Sequence, residues 1–311
     1  MSDTETASRG KPRVGHPEAD KPTPSERPVH VIEEADILTA AEEEKVRERL
    51  ALPATAVYAI VKEEGLLELG RPTGSLFFSG VVAGLAMGFS VLSLALFEMY
   101  LPAGASWAPL VGSAGYSVGF LIVVLGRQQL FTESTLTGVL PLIATPSWGR
   151  LGQLGRVWGT VLAANWVGCL LAAVCFVVLP MVPPAVSAAV VAASQHYLEL
   201  SAGEAFWRAI GAGFLVAVMV WMIPNAEANK FAIVAGMGWL IALGEFTHVV
   251  AGMCEVGVLV LTGDLGWVEG VVGLALPTLA GNVVGGRGVF AMLAWAQVRE
   301  EVTGGGEDLG A

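Results

Sequence analysis

Charge is what this chain has least of. Lys, Arg, Asp and Glu make up 14% of its residues, against about 25% in a soluble domain, and the shortage is uneven. Residues 1–74 hold 10 of the 17 Lys and Arg and 15 of the 28 Asp and Glu, so the rest is nearly charge-free. An ordinary water-soluble domain is thereby excluded, in keeping with a mean hydropathy of +0.64. Basic residues form no patch, which removes nucleic acid as a partner. Cysteine is scarce too: Cys169, Cys175 and Cys254 lie in apolar segments and are spaced for neither a metal site nor a disulfide framework. No metal, cofactor or nucleophile–base pair is expected, and no enzyme activity. The N-terminus lacks the basic-then-apolar order of a secretory signal, so no cleaved leader is expected.

Long apolar runs are what the chain does have. Six hydrophobic segments lie at about 75–97, 107–144, 157–182, 205–223, 231–262 and 270–296. A span needs roughly 20 apolar residues, so the second and fifth segments are too long for one straight helix and each carries an interruption. The expected fold is all-α and integral to the membrane: six transmembrane helices with helices 2 and 5 broken. Arg150, Arg156, Lys230 and Arg299 follow even-numbered segments, whereas the loops at 98–106, 183–204 and 263–269 contain no Lys or Arg. Positive residues favour the inside, which puts both termini in the cytosol, with membrane lipid around the spans. The channel domain is read as 75–298 and residues 299–311 as a cytosolic tail. Residues 1–74 read as a cytosolic N-terminal extension: 1–30 without apolar period and disordered, a helix from Ile37 to Leu52, a second over 54–69, and a break at 70–74.

Both interruptions carry polar groups where lipid would make them costly. The first is Leu130-Phe131-Thr132-Glu133-Ser134 and the second Glu245-Phe246-Thr247-His248-Val249. Downstream, Ala164-Asn165-Trp166-Val167-Gly168 and Gly281-Asn282-Val283-Val284-Gly285 form a second matched pair. Paired Phe-Thr and Asn-x-x-Gly elements point to a three-plus-three duplication, inverted because each half has an odd number of spans. Irregular backbone at membrane depth survives only where it is buried in protein or lines a cavity, so two matched breaks point to a central site.

The chemistry at that site fits a small anion. His248 can give a hydrogen bond or a proton, and its ordinary pKa lies near neutrality; if it lends the proton, flux should rise as external pH falls. Thr132 and Thr247 are hydroxyl donors that either replace water around a solute or cap helix ends. Half-helix N-termini after the breaks add positive dipole ends. Phe131, Phe246, Leu130 and Ile241 are candidate apolar walls. Glu133 and Glu245 are expected to bond loop amides or Arg127 and hold the breaks in shape, with a proton relay through Glu133 as the sharper alternative. Asn165 and Asn282 belong to the same supporting set.

At Leu130-Phe131-Thr132, Phe246-x-His248 and the two Asn-x-x-Gly elements the chain resembles the formate–nitrite transporter family. The resemblance covers about 70–300. It implies an aquaporin-like helical fold, a homopentamer with a pore in each protomer, passage of small monovalent anions, and a Thr and a His facing each other, here Thr132 and His248. Location in the cytoplasmic (inner) membrane goes with that reading. Some positions depart from the family pattern: Thr247 stands where a carboxylate is usual, Glu133 where a small hydroxyl residue is usual, and Tyr197 where a vestibule base is common. The competing reading is a non-transporting membrane scaffold or sensor acting through its N-terminal extension; polar interruptions within two spans argue against it.

Overall fold

The computed structural model describes residues 51–304, and every regular element among them is helical. In chain order these are α1 (Ala54–Gly70), α2 (Thr73–Tyr100), α3 (Ala108–Leu125), α4 (Phe131–Thr137), α5 (Val139–Ala144), α6 (Trp148–Val177), α7 (Pro184–Ser194), α8 (Ala202–Met222), α9 (Lys230–Leu243), α10 (Val249–Thr262) and α11 (Glu269–Val302). Among the described residues, α2, α3, α6, α8 with its short extension, and α11 are long and apolar enough to cross a membrane. α9 and α10 have 14 residues each, too few for a span of roughly 20; they are two halves of one hydrophobic segment. α3 and the α4–α5 pair divide the segment 107–144 in the same way. The expected disorder at 1–30 and the expected helix from Ile37 to Leu52 lie outside the described residues, and helix continues past Arg299 as far as Gly304.

Small residues set the spacing. A Cβ on Gly84 would lie 2.1 Å from the Asn165 carbonyl oxygen, and one on Gly168 would lie 2.2 Å from that of Val81. The other half repeats both contacts, with Gly213 at 2.2 Å from the Asn282 carbonyl and Gly285 at 2.1 Å from that of Ile210. Only glycine allows α2 to lie against α6, and α8 against α11, at these backbone distances. The post-break halves are exchanged between the units. α10 packs against α2 and α6, while α4 packs against α8 and the later part of α11. α9 lies along α3.

The two breaks share one backbone solution. At the first, Gln128 N–H donates to Val123 O (2.9 Å) and Arg127 N–H to Val124 O (3.3 Å); at the second, Phe246 N–H donates to Ile241 O (3.0 Å) and Glu245 N–H to Ala242 O (3.0 Å). These crossed bonds end a helix in a Schellman turn, whose left-handed position is usually glycine. Here it is Arg127 (φ 52°) and Glu245 (φ 51°), at a cost of about 1–2 kcal/mol each. Three residues on, Leu130 (φ −105°, ψ 130°) and His248 (φ −116°, ψ 123°) are extended and open the next half-helix.

This geometry corrects the repeat read from the letters. The sequence match sets Phe131-Thr132 against Phe246-Thr247. The folded chain pairs Arg127 with Glu245, Gln129 with Thr247, Leu130 with His248 and Phe131 with Val249. Thr132 and Thr247 are therefore not counterparts; the shared Phe-Thr is a coincidence three positions out of register.

α1 also departs from expectation. Expected as the second helix of the N-terminal extension, it packs into the helical body, where Val57, Tyr58, Val61, Gly65, Glu68 and Leu69 are buried. A Cβ on Gly65 would lie 1.9 Å from the Thr137 carbonyl oxygen, so α1 rests directly on the backbone of α4. The helical body begins near Ala54 rather than at 75.

Candidate functional site

The post-break half-helices bring Thr132 and His248 together. Thr132 Oγ1 and His248 Nε2 are 2.8 Å apart, and both residues are fully buried. His248 also caps its own helix, its Nδ1 accepting from Ala251 N–H at 3.4 Å. An imidazole nitrogen that accepts carries no proton, which leaves Nε2 as the donor to Thr132 and the threonine hydroxyl free to donate onward. The Phe120 ring stands edge-on to the imidazole at 5.1 Å. α4 begins at Phe131 with no side-chain cap from Leu130, so the N–H groups of Thr132 and Glu133 stay available beside the pair. The arrangement is a buried cluster of neutral hydrogen-bond donors between two helix N-termini, which favours negative charge.

Two asparagines hold the breaks in place. Asn165 Oδ1 accepts from Phe131 N–H (2.9 Å), and its Nδ2 donates to Gln129 O (2.9 Å) and Gly80 O (2.8 Å). Asn282 repeats this on Val249 N–H (2.8 Å), Thr247 O (3.0 Å) and Ala209 O (2.8 Å). Each side chain satisfies backbone groups that the break leaves without a helical partner, which burial would otherwise penalise.

The remaining expected residues divide. Leu130, Phe131 and Ile241 are buried apolar residues. Phe131 packs on Trp158 at 5.6 Å, and Ile241 supplies the carbonyl that closes the second Schellman turn. Phe246 fills the space left by Gly211 and Gly244 and lines the mouth of the cavity described below. Thr247 donates its hydroxyl proton to Ala205 O at 2.7 Å, so it serves the backbone first. Glu133 does not bond loop amides or Arg127: its Oε1 is buried without a partner, and Arg127 is exposed. Glu245 pairs instead with Arg208 at 2.8 Å, at a surface where the two side chains are 37% (Arg208) and 75% (Glu245) exposed.

Sequence reasoning missed two carboxylates. Glu68, 7% exposed on α1, accepts from Gln129 Nε2 (2.6 Å) and from the hydroxyls of Ser134 and Thr137. It does for the first break what was expected of Glu133. Burial raises its pKa above the usual carboxylate range, against the smaller opposing pull of those hydrogen bonds and of Arg71. Its signal was the spacing of Tyr58, Val61, Gly65 and Glu68 along one helical face. The second, Glu255, stands in the apolar run 249–262, where any ionisable residue asks for a role.

Beyond Phe246 and Thr247 opens a cavity of about 810 Å³. It is lined by Glu98, Glu199, Glu204, Glu245 and Glu255 against one arginine, Arg208. Its histidine, His196, is held below the ordinary imidazole pKa chiefly by burial and so adds no positive charge near neutrality. Two of the loops free of Lys and Arg, 98–106 and 183–204, line this cavity.

A model of the formate/nitrite transporter family matches residues 55–296. The chain belongs to the formate/nitrite transporter family. It is 40% identical over 256 residues, 82% of each chain, to the inner membrane protein YfdC of Escherichia coli strain K12. It is 29% identical over 246 residues to the formate channel FocA of Haemophilus influenzae, covering 69% of this chain and 84% of that one. Among solved structures, a pentameric formate channel with formate bound matches at a TM-score of 0.63 and 23% identity, over 73% of this chain and 97% of that chain. A second, an FNT family ion channel, matches at 0.66 and 20% identity, over 78% and 98%. These structures establish the formate/nitrite transporter fold for a multi-pass membrane protein.

Proposed function

We propose that this protein carries small monovalent anions across the membrane, as a channel or with a proton, through a constriction formed by Thr132 and His248. The observation that carries the reading is the 2.8 Å contact between these two side chains, contributed by separate half-helices and fully buried. A scaffold has no use for a donor cluster at that depth. An anion entering the constriction loses water, and the Thr132 hydroxyl, the imidazole and the two helix N-termini replace it. His248 acts as a neutral donor oriented by its cap to Ala251. The formate channels among its relatives make formate the first solute to try. The working unit is a homopentamer with one pathway per subunit, both termini cytosolic, in the inner membrane; native mass spectrometry in detergent counts the subunits, and a stable dimer would remove that part.

Proteoliposome flux tests the constriction. Thr132→Val keeps the shape and loses one hydrogen bond to the solute, about 1–3 kcal/mol, so formate or nitrite flux falls roughly tenfold or more while the protein elutes normally. Unchanged flux returns Thr132 to a structural role. His248→Gln keeps a donor but cannot take a second proton. A variant that loses the dependence of flux on external pH makes His248 the proton carrier instead of a neutral donor.

A further inference from the structure

His248, Gly252 and Glu255 are spaced by four and three residues and so share one face of α10. At 1.5 Å per residue, Glu255 lies about 10 Å along the helix from His248. Between them the helix has no side chain: a Cβ on Gly252 would sit 2.4 Å from the Tyr197 hydroxyl oxygen. That hydroxyl therefore rests against α10 one turn from Glu255. Tyr116 approaches from α3, its ring 5.8 Å from Phe120, whose own ring contacts His248. Glu255, Tyr116 and Tyr197 are 2%, 6% and 3% exposed, and all three line the 810 Å³ cavity. Their carboxyl and hydroxyl groups make no hydrogen bond to any described residue.

These three polar groups line one cavity without partners among the described residues, which leaves their hydrogen bonds to water or a ligand. The titratable groups facing Glu255 are Glu98 from α2, Tyr116 from α3, Cys169 from α6, Tyr197 from the segment after α7, and Cys254 beside it. None is a cation. With a proton, Glu255 joins the two phenols as a third O–H donor; without one, it is a buried negative charge that repels an anion. The four other carboxylates lining the cavity add to that repulsion.

We propose that Glu255, Tyr116 and Tyr197 form a binding subsite for a small monoprotic weak acid, and that Glu255 loads the solute with its proton. The anion accepts hydrogen bonds from the two phenols and from the Glu255 carboxyl. The Glu255 O–H bond then breaks as a solute oxygen takes the proton. The neutral acid moves on toward Thr132 and His248, and the Glu255 carboxylate is reprotonated from cavity water. This rests on the transport reading above and places its pH sensor seven residues from His248, facing the cavity.

The full chain in proteoliposomes tests this with formate, nitrite, acetate and chloride, at external pH from about 5 to 8, a range around the ordinary carboxylate and imidazole values. Wild-type flux of the three weak-acid anions falls severalfold as pH rises, and chloride passes poorly throughout. Glu255→Gln flattens that profile, whereas His248→Gln keeps the slope. A Glu255→Gln profile that tracks the wild type overturns the proposal. Tyr197→Phe and Tyr116→Phe remove one hydroxyl each and weaken the apparent affinity for formate severalfold; unaltered affinity in both overturns the subsite. Infrared difference spectra of the detergent-purified protein give a readout without transport. Sodium formate, nitrite or acetate shifts a carboxyl band that is missing in Glu255→Gln, and a band unmoved by all three sinks the subsite. If wild-type liposomes pass no anion at all, the transport reading fails by itself, and the infrared result still decides the subsite.

Discussion

The two breaks have the same backbone and different side chains. Each ends a helix on a non-glycine residue in the left-handed region, runs extended for one residue before the next half-helix, and is clamped by an asparagine. Yet the extended residue is Leu130 in one and His248 in the other. The left-handed residue is Arg127 in one and Glu245 in the other. The first break is closed from outside the repeat by Glu68, whereas the second faces an open cavity. The duplicated part is the frame. The chemistry sits where the copies differ, and Thr132 meets His248 because α4 and α10 have crossed into each other's half.

The comparison is broken most severely at the clamps. Asn165→Ala orphans Phe131 N–H and Gln129 O, and Asn282→Ala orphans Val249 N–H and Thr247 O. At about 1–3 kcal/mol per buried group, each costs about 2–6 kcal/mol. Thermal unfolding in detergent should show similar losses for both; a mild effect at one would mean that the breaks are not supported alike.

A smaller effect separates the breaks by pH. The Glu68 pKa is raised in the folded protein, so its carboxyl holds a proton more tightly there than in the unfolded chain. Its contribution is fully present below the ordinary carboxylate pKa and is lost as pH rises through the raised folded value. Hydrogen exchange of α1 amides should therefore speed up from acid toward neutral pH beyond the intrinsic chemical rate. Glu68→Gln should remove that excess and leave the exchange of the α10 amides as it is in the wild type. An α1 that exchanges independently of Glu68 would remove this asymmetry.

The smallest effect is expected at Arg208–Glu245. The pair is short but exposed, and such pairs contribute about 0–1 kcal/mol. Arg208→Ala should move the unfolding midpoint little, and raised salt should shift the wild type toward the variant. A loss as large as that at the clamps would mean that this ion pair holds the second break, in place of Asn282.

Much of this was legible before folding was considered. The over-long segments located both breaks, the two Asn-x-x-Gly elements located both clamps, and the costs of intramembrane polar groups singled out Thr132 and His248. The register of the repeat was not legible, because what the halves share is a positive φ, carried here by Arg127 and Glu245 instead of the glycine that would mark it, and an extended residue, which any side chain can supply. Letter matching seized on Phe-Thr instead. Glu68 was overlooked because a carboxylate beside Glu63, Glu64 and Lys62 looks like a solvated helix face, and only Gly65 pressed against Thr137 turns it inward. Glu133, in the more prominent position, was given the work that Glu68 does.

The asparagine clamps also bear on the order in which the molecule is completed. Their bonds to the breaks reach back across 33 to 36 residues of chain. A broken segment entering lipid by itself would carry bare amide and carbonyl groups into hydrocarbon. Each half-helix can therefore settle only after its clamp has been synthesised and has docked. Asn282 is in the last long helix among the described residues. The second break, and with it the partner of Thr132, becomes whole only after Asn282 has left the ribosome.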